Sequence, residues 1–270
     1  MFKIRYAEAL IAFVLTCLVL VSVPLWRGGF GLSWDTMNHH VYLGWVASDA
    51  RFNEDYFAAA SQSYQFPYLY WPIYQLTRLQ VEGWVAGSIW AGLHAFVSIP
   101  LWLISWRLIP GTAISDAGVR LLAVAFGVGS ILVLRAAETS ANDVLATIPW
   151  LFGLVLGLGS RESSARPAAS ASAWLSIFCG MLGGVSVALK LSNGAMAIFL
   201  PLVCCLLARS TAQRLRHMFF CLFGLVAGFV ALYGWWGWHL WHQFGNPVFP
   251  FADGLFEPLR TMLGWSQGRP

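Results

Sequence analysis

Charge is what this chain has least of. Only 10% of its 270 residues are Asp, Glu, Lys or Arg, whereas 58% are hydrophobic. An ordinary soluble domain carries about 25% charge, so the composition, with a mean hydropathy of +0.65, excludes one and points to an integral membrane protein. Also lacking is any basic stripe interleaved with aromatic residues, which argues against a nucleic-acid partner. The net charge of +4 is spread along loop ends and suits contact with membrane lipids, through their anionic headgroups. Cysteine is sparse as well. Cys17, Cys179, Cys204, Cys205 and Cys221 all fall inside apolar runs, without the polar-loop spacing of a disulfide framework or zinc site, and read as small hydrophobes. No internal repeat is apparent, which weighs against transporter folds built from repeated halves. The first apolar run follows Lys3 and Arg5, exceeds a signal-peptide core and lacks a small-residue cleavage site, so it reads as a retained span with a cytoplasmic N-terminus.

What is present is a series of apolar runs. Hydropathy places spans near Ala7–Trp26, Val81–Ser105, Leu121–Arg135, Val144–Gly159, Trp174–Leu189, Ala195–Ala208 and Met218–Leu240, and at about 20 residues a crossing the chain has room for six to eight. The expectation is a single all-α module over residues 1–270, a polytopic bundle of about seven helices in the cytoplasmic membrane. With Lys3 and Arg5 inside, Arg107, Arg120, Arg161, Arg166, Arg209, Arg214 and Arg216 all fall in short inside loops, as the positive-inside rule requires. The inside segment RESSARPAASAS reads as a flexible connector. The other face then carries a first loop over residues 27–82 and a tail over 241–270. In that loop, DTMNHHVYLGWVASDA has Val41, Tyr42, Trp45 and Val46 at helical spacing, which predicts an interfacial amphipathic helix. The run SQSYQFPYLYWPIYQL is rich in Tyr and Trp, which favour headgroup depth. Its Pro67 and Pro72 break any helix there, and it reads as a loop dipping into the outer leaflet.

Ionisable residues bordering spans usually line a polar cavity or do chemistry, because charge at the bilayer centre costs roughly 2.5–3.5 kcal/mol on insertion scales. Asp35, Glu138, Asp143 and Lys190 all fall at one face on this topology. Asp35 can cap a helix or accept a proton from a sugar hydroxyl. His39 lies four residues on, where a helix puts it on the face of Asp35. With His40 it can hydrogen-bond the acid, a metal or a phosphate, or simply lie exposed at the interface. Glu138, Asn142 and Asp143 share the turn AAETSAND, where carboxylates can hold a divalent cation or Asp143 can cap the next helix. Lys190, ahead of Ser192, Asn193 and Gly194, can meet a phosphate as a point charge or snorkel. The segment HQFGNPVFPFADG, after His239, carries a Gly245–Asn246–Pro247 turn signal, and Phe249 and Phe251 can anchor it in the interface.

Taken in order, an acid after the first span (Asp35), an acid after span three (Asp143 in ETSAND) and a lysine–glycine break between spans five and six (Lys190, Gly194) resemble the membrane module of GT-C-fold glycosyltransferases. These are lipid-linked-sugar enzymes that include protein O-mannosyltransferases and bacterial aminoarabinose transferases. The resemblance implies transfer of a sugar from a polyprenyl-phosphate donor to a hydroxyl on a lipid, glycan or protein at the outer membrane face. It also implies Asp35 as base, Asp143 arranging acceptor or metal, and Lys190 at the carrier phosphate. Many members continue with further helices beyond the point corresponding to Pro270, so it implies a short or truncated member. From other classes, a transporter or lipid-flipping component and a non-catalytic membrane fragment remain open alternatives.

Overall fold

The computed structural model describes residues 2–52, 54–55, 59–163, 169–206, 208 and 210–264, with side chains described from residue 6 onward except 160–163 and 169–172. It is all-helical, with 79% of residues in helix and no strand among those described. The helices are α1 (Phe2–Arg27), α2 (Val41–Val46), α3 (Trp71–Arg78), α4 (Gly83–His94), α5 (Ser98–Leu108), α6 (Ile114–Val128) and α7 (Ile131–Glu138). They continue with α8 (Asp143–Ser163), α9 (Ala169–Leu189), α10 (Gly194–Ala197), α11 (Phe199–Leu206), α12 (Thr211–Phe244) and α13 (Asp253–Met262). Each expected apolar segment coincides with helix, but their lengths differ. Three rods are long and apolar enough to cross a membrane: Tyr6–Arg27, Gly83–Leu108 and Thr211–Phe244. A fourth is the pair α6–α7, bent by 60° where Ser130 caps α7 by accepting from the Val133 amide. Asp143–Gly159, Ala173–Leu189 and Leu191–Leu206 are shorter apolar helices.

The tightest packing joins α9 to α12. Gly180 and Gly184 face α12, and Gly224 and Gly228 face α9. A Cβ at any of them would collide with a backbone carbonyl of the opposite helix, that of Cys221, Leu225, Ile177 or Met181 respectively. Paired glycines four residues apart let two backbones touch, which is how helices associate where lipid is as apolar as their side chains.

At the opposite end from the site described below, Arg120 is fully buried, not a loop residue as expected. Its guanidinium makes a bidentate pair with Glu8 at 2.7 and 2.9 Å, donates to the Ile109 and Gly111 carbonyls and stacks on Trp106. All three guanidinium nitrogens donate, in four hydrogen bonds, which offsets the cost of its burial. The expected flexible connector is shorter than RESSARPAASAS, because α8 runs to Ser163 and α9 begins at Ala169. Arg166 and Arg209 lie outside the described residues, as do the side chains of Lys3, Arg5 and Arg161.

The 27–82 segment packs as a cap on the helix ends. The expected helix near Asp35 forms, as a π-turn over Thr36–His40 leading into α2, but its inner face is Thr36, His39, His40, Leu43 and Val46, while Trp45 is exposed. Pro72 opens α3 instead of breaking it, since a first-turn proline surrenders no helical hydrogen bond. Phe66 and Tyr70 are buried, with Phe66 stacked on Tyr233 of α12, and Trp236 donates its indole N–H to the Tyr64 carbonyl at 3.0 Å. At 34 residues, α12 is about 50 Å long at 1.5 Å per residue. That exceeds a hydrocarbon core of about 30 Å, so its last turns are free to form the post on which the cap rests.

Candidate functional site

Four chain segments meet under the cap: the π-turn, the Glu138–Asp143 turn, the end of α9 and the start of α3. The first two are joined through the backbone, where the Gly31 amide donates to the Glu138 carbonyl at 2.8 Å. Their side chains join too. Ser140 Oγ lies 2.5 Å from Thr36 Oγ1 and 2.6 Å from His40 Nδ1. α9 ends at Leu189, and Lys190 adopts an extended backbone before a short 3₁₀ turn. Asn193 fixes this break by donating to the Ser186 carbonyl and hydroxyl, and Ser186 in turn donates to the Ala146 carbonyl of α8. The loosening expected at Ser192–Gly194 is therefore a braced corner that carries Lys190 to the head of α8.

There Lys190 Nζ contacts Asp143 Oδ1 at 2.5 Å and Asn142 Oδ1 at 3.4 Å. The buried Asn142 also hydrogen-bonds the Tyr70 hydroxyl. Tyr70 stacks on His40 at 4.4 Å, and His40 meets His39 edge to face at 4.3 Å. Asp35 stands at the rim, half exposed, with a carboxylate oxygen 3.9 Å from His39 Nδ1. The histidines are not exposed or interfacial: His39 and His40 are 4% and 6% accessible. Burial holds His39 below its ordinary pKa, against the pull of Asp35, and lowers His40 to about 3, helped by the neighbouring His39 and Lys190. Burial likewise pushes the Tyr70 hydroxyl well above its usual range. At neutral pH the cluster therefore contains neutral imidazoles and a protonated phenol, and its formal charges are those of Asp35, Asp143 and Lys190.

A cavity of about 510 Å³ opens beside these groups, within the size range of small-molecule sites. Its wall is mixed. Lys190, Asn142, Tyr70, Gln65 and Ser192 supply polar atoms, and Phe66, Leu189, Leu191, Val248 and Phe251 supply an apolar side. The Lys190–Asp143 pair is part-exposed, at 29% and 62%, and such pairs are worth only about 0–1 kcal/mol. An anion entering the cavity can displace the carboxylate from the ammonium at little cost.

The expected grouping is thus partly realised. Asp143, Lys190, Asn142, His39 and His40 join one cluster with Asp35 at its edge, whereas the Glu138 carboxylate is held by Arg27 at 2.8 Å and approached by Arg135 at 3.8 Å. Glu138 and Asp143, each engaged by a different cation, do not fit a shared divalent-metal site. The oxygens of Asp143 and Asn142 do converge, but on the Lys190 ammonium. Tyr70, Ser140 and Gln65 were not singled out from the sequence. Ser140 lay in the ETSAND turn that drew attention for its acids, and Tyr70 in an aromatic run whose composition alone suggests lipid.

Near the end of α12, Gly245 takes the left-handed conformation that ends the helix. Asn246, fully buried, ties the following turn by donating to the Phe251 carbonyl and to Asp253. Phe249 stacks on Phe244 at 4.2 Å, and Phe251 is half exposed at the cavity. No family model, curated protein or solved structure matches the chain.

Proposed function

We propose that this protein is a glycosyltransferase of the cytoplasmic membrane, taking sugar from a polyprenyl-phosphate donor and passing it to a hydroxyl of a lipid, glycan or protein at the outer face. The seven apolar segments act as seven crossings, with the N-terminus in the cytoplasm and the cap outside. One observation carries the proposal: a cavity at the end of the bundle lined by an ammonium and amides together with aliphatic and aromatic side chains. That combination suits a phosphate whose lipid tail stays in the bilayer.

In the reaction, the acceptor hydroxyl gives its proton to Asp35 and its oxygen bonds to the anomeric carbon. The bond from that carbon to the phosphate oxygen breaks, and the leaving phosphate keeps the electron pair beside Lys190, whose charge offsets the growing negative charge. Attack opposite the leaving group inverts the anomeric centre. Asn142 and Tyr70 orient the sugar phosphate as neutral donors, and Asp143 holds Lys190 in place until the phosphate arrives.

The test uses the full chain in nanodiscs with radiolabelled polyprenyl-phosphate sugars and hydroxyl acceptors. Asp35→Asn is expected to lower turnover by roughly 10²–10⁴-fold, the usual contribution of a general base, while binding of polyprenyl phosphate stays near wild type. Lys190→Met is expected to weaken that binding at least tenfold. Full transfer by Asp35→Asn removes the base, and unchanged phosphate binding by Lys190→Met removes the donor site.

A further inference from the structure

Three of the five cysteines, distant in sequence, converge in space. Cys179 of α9, Cys204 of α11 and Cys221 of α12 are all buried, and their sulfurs lie within 4.8 Å of one another. Cys179 Sγ is 3.7 Å from Cys204 Sγ and 4.0 Å from Cys221 Sγ. Among the described residues this is the only group of three or more metal-ligand side chains so arranged. The reading of these cysteines as unrelated small hydrophobes does not anticipate that convergence.

The two sulfur separations from Cys179, 3.7 and 4.0 Å, match a known geometry, and the third lies within 4.8 Å. Sulfurs bound at about 2.3 Å to one ion stand about 3.8 Å apart in a tetrahedron and about 4.0 Å apart in a trigonal plane. The surroundings suit a soft ion. Gly157 of α8 faces the sulfurs without a side chain, and a Cβ there would stand 3.5 and 3.9 Å from those of Cys179 and Cys204. His217 lies one turn before Cys221 on the same face of α12, buried, with its Nδ1 2.9 Å from the hydroxyl of Ser176, itself three residues before Cys179. Two of the three helices that carry the thiols, α9 and α12, are held in register by their glycine contact, and the third thiol also stands on a helix, α11, so the sulfurs are positioned by helices and not by loops.

We infer that Cys179, Cys204 and Cys221 form a binding site for one thiophilic d¹⁰ cation, cuprous copper or zinc. Soft sulfur ligands favour these ions. Each thiol that ligates gives its proton to solvent, so uptake releases protons and tightens as pH rises. The site lies away from the Lys190 cavity and is independent of the proposed transfer reaction. From Thr211, the first residue of α12, Cys221 is ten residues along, about 15 Å at 1.5 Å per residue, on the side of Arg214 and Arg216.

The experiment loads the full-length protein, reduced and in nanodiscs, with zinc or with copper(I) in separate arms, removes unbound metal and measures metal per chain by mass spectrometry. The expected result is about one ion per chain in at least one arm, and the arm that loads identifies the ion. Cys205→Ser keeps this stoichiometry, whereas Cys179→Ser, Cys204→Ser and Cys221→Ser each lose at least tenfold in affinity. A second readout does not depend on variants. In the loaded wild type, X-ray absorption at the metal edge is expected to show sulfur neighbours at about 2.3 Å. Failure to retain metal in both arms overturns the inference, as does retention without sulfur neighbours or retention undiminished in folded single variants.

Discussion

His40 sits against the Tyr70 ring and bonds Ser140, and keeping its imidazole neutral inside the protein makes stability depend on pH. The unfolded chain protonates such a side chain near 6.5, the folded one only near 3. Between those values the unfolded state holds more protons. Stability from this residue is therefore complete above about pH 6.5 and is lost as pH falls toward 3. At pH 5 the loss is on the order of 2 kcal/mol, at 1.36 kcal/mol per unit. Lys190 and His39 add to this resistance to protonation, and Asp143 opposes it. The thermal midpoint in nanodiscs is expected to drop between pH 7.5 and pH 5, and His40→Gln is expected to flatten that dependence. A wild-type midpoint unchanged over this range would contradict the burial of a neutral ring. Asp35 and Lys190 were legible in the sequence because charge beside an apolar run is conspicuous. Tyr70 was not, and His40 was singled out without its buried partners, because the packing of these rings joins segments about thirty residues apart, which composition does not report.

Among the elements, the α9–α12 contact has the least slack. Replacing Gly184 by Leu forces a side chain into the space of the Leu225 carbonyl, so the helices must separate or shear. Overpacking of this kind costs typically 1–3 kcal/mol or more. Gly184→Leu is expected to lower the thermal midpoint and the yield of monodisperse protein. The control is Gly92→Ala on α4, where an added Cβ meets nothing within 4 Å and a helix-interior glycine gives way to a better helix former. Equal behaviour of the two variants would exclude this contact as a stability determinant. Hydropathy gave the positions of these helices because it averages over many residues. The spacings Gly180-x3-Gly184 and Gly224-x3-Gly228 were also readable as sites of close approach. Their partner was not, since a small-residue face does not say which helix it meets. Pro72 shows the opposite limit, since the same residue ends a helix from within or begins one from its first turn, and only its neighbours decide.

For the whole molecule, the odd number of proposed crossings puts the segment before the first crossing and the segment after the last in different compartments. Ser48→Cys in the cap and Thr261→Cys in α13 are expected to react with an impermeant maleimide on intact cells, above the background of the native thiols. Ser115→Cys before the core of α6 and Ser210→Cys before α12 are expected to react only after permeabilisation. Labelling of all four from one side would remove the seven-crossing topology. The pairing of Glu8 with Arg120 bears on how that topology is reached. The two residues are separated by 112 positions, so α1 leaves the ribosome long before its counter-ion exists. A lone carboxylate is costly to desolvate, so on the proposed topology α1 is expected to settle at its final depth only after the α5–α6 corner has emerged, and Glu8→Gln is expected to remove that delay.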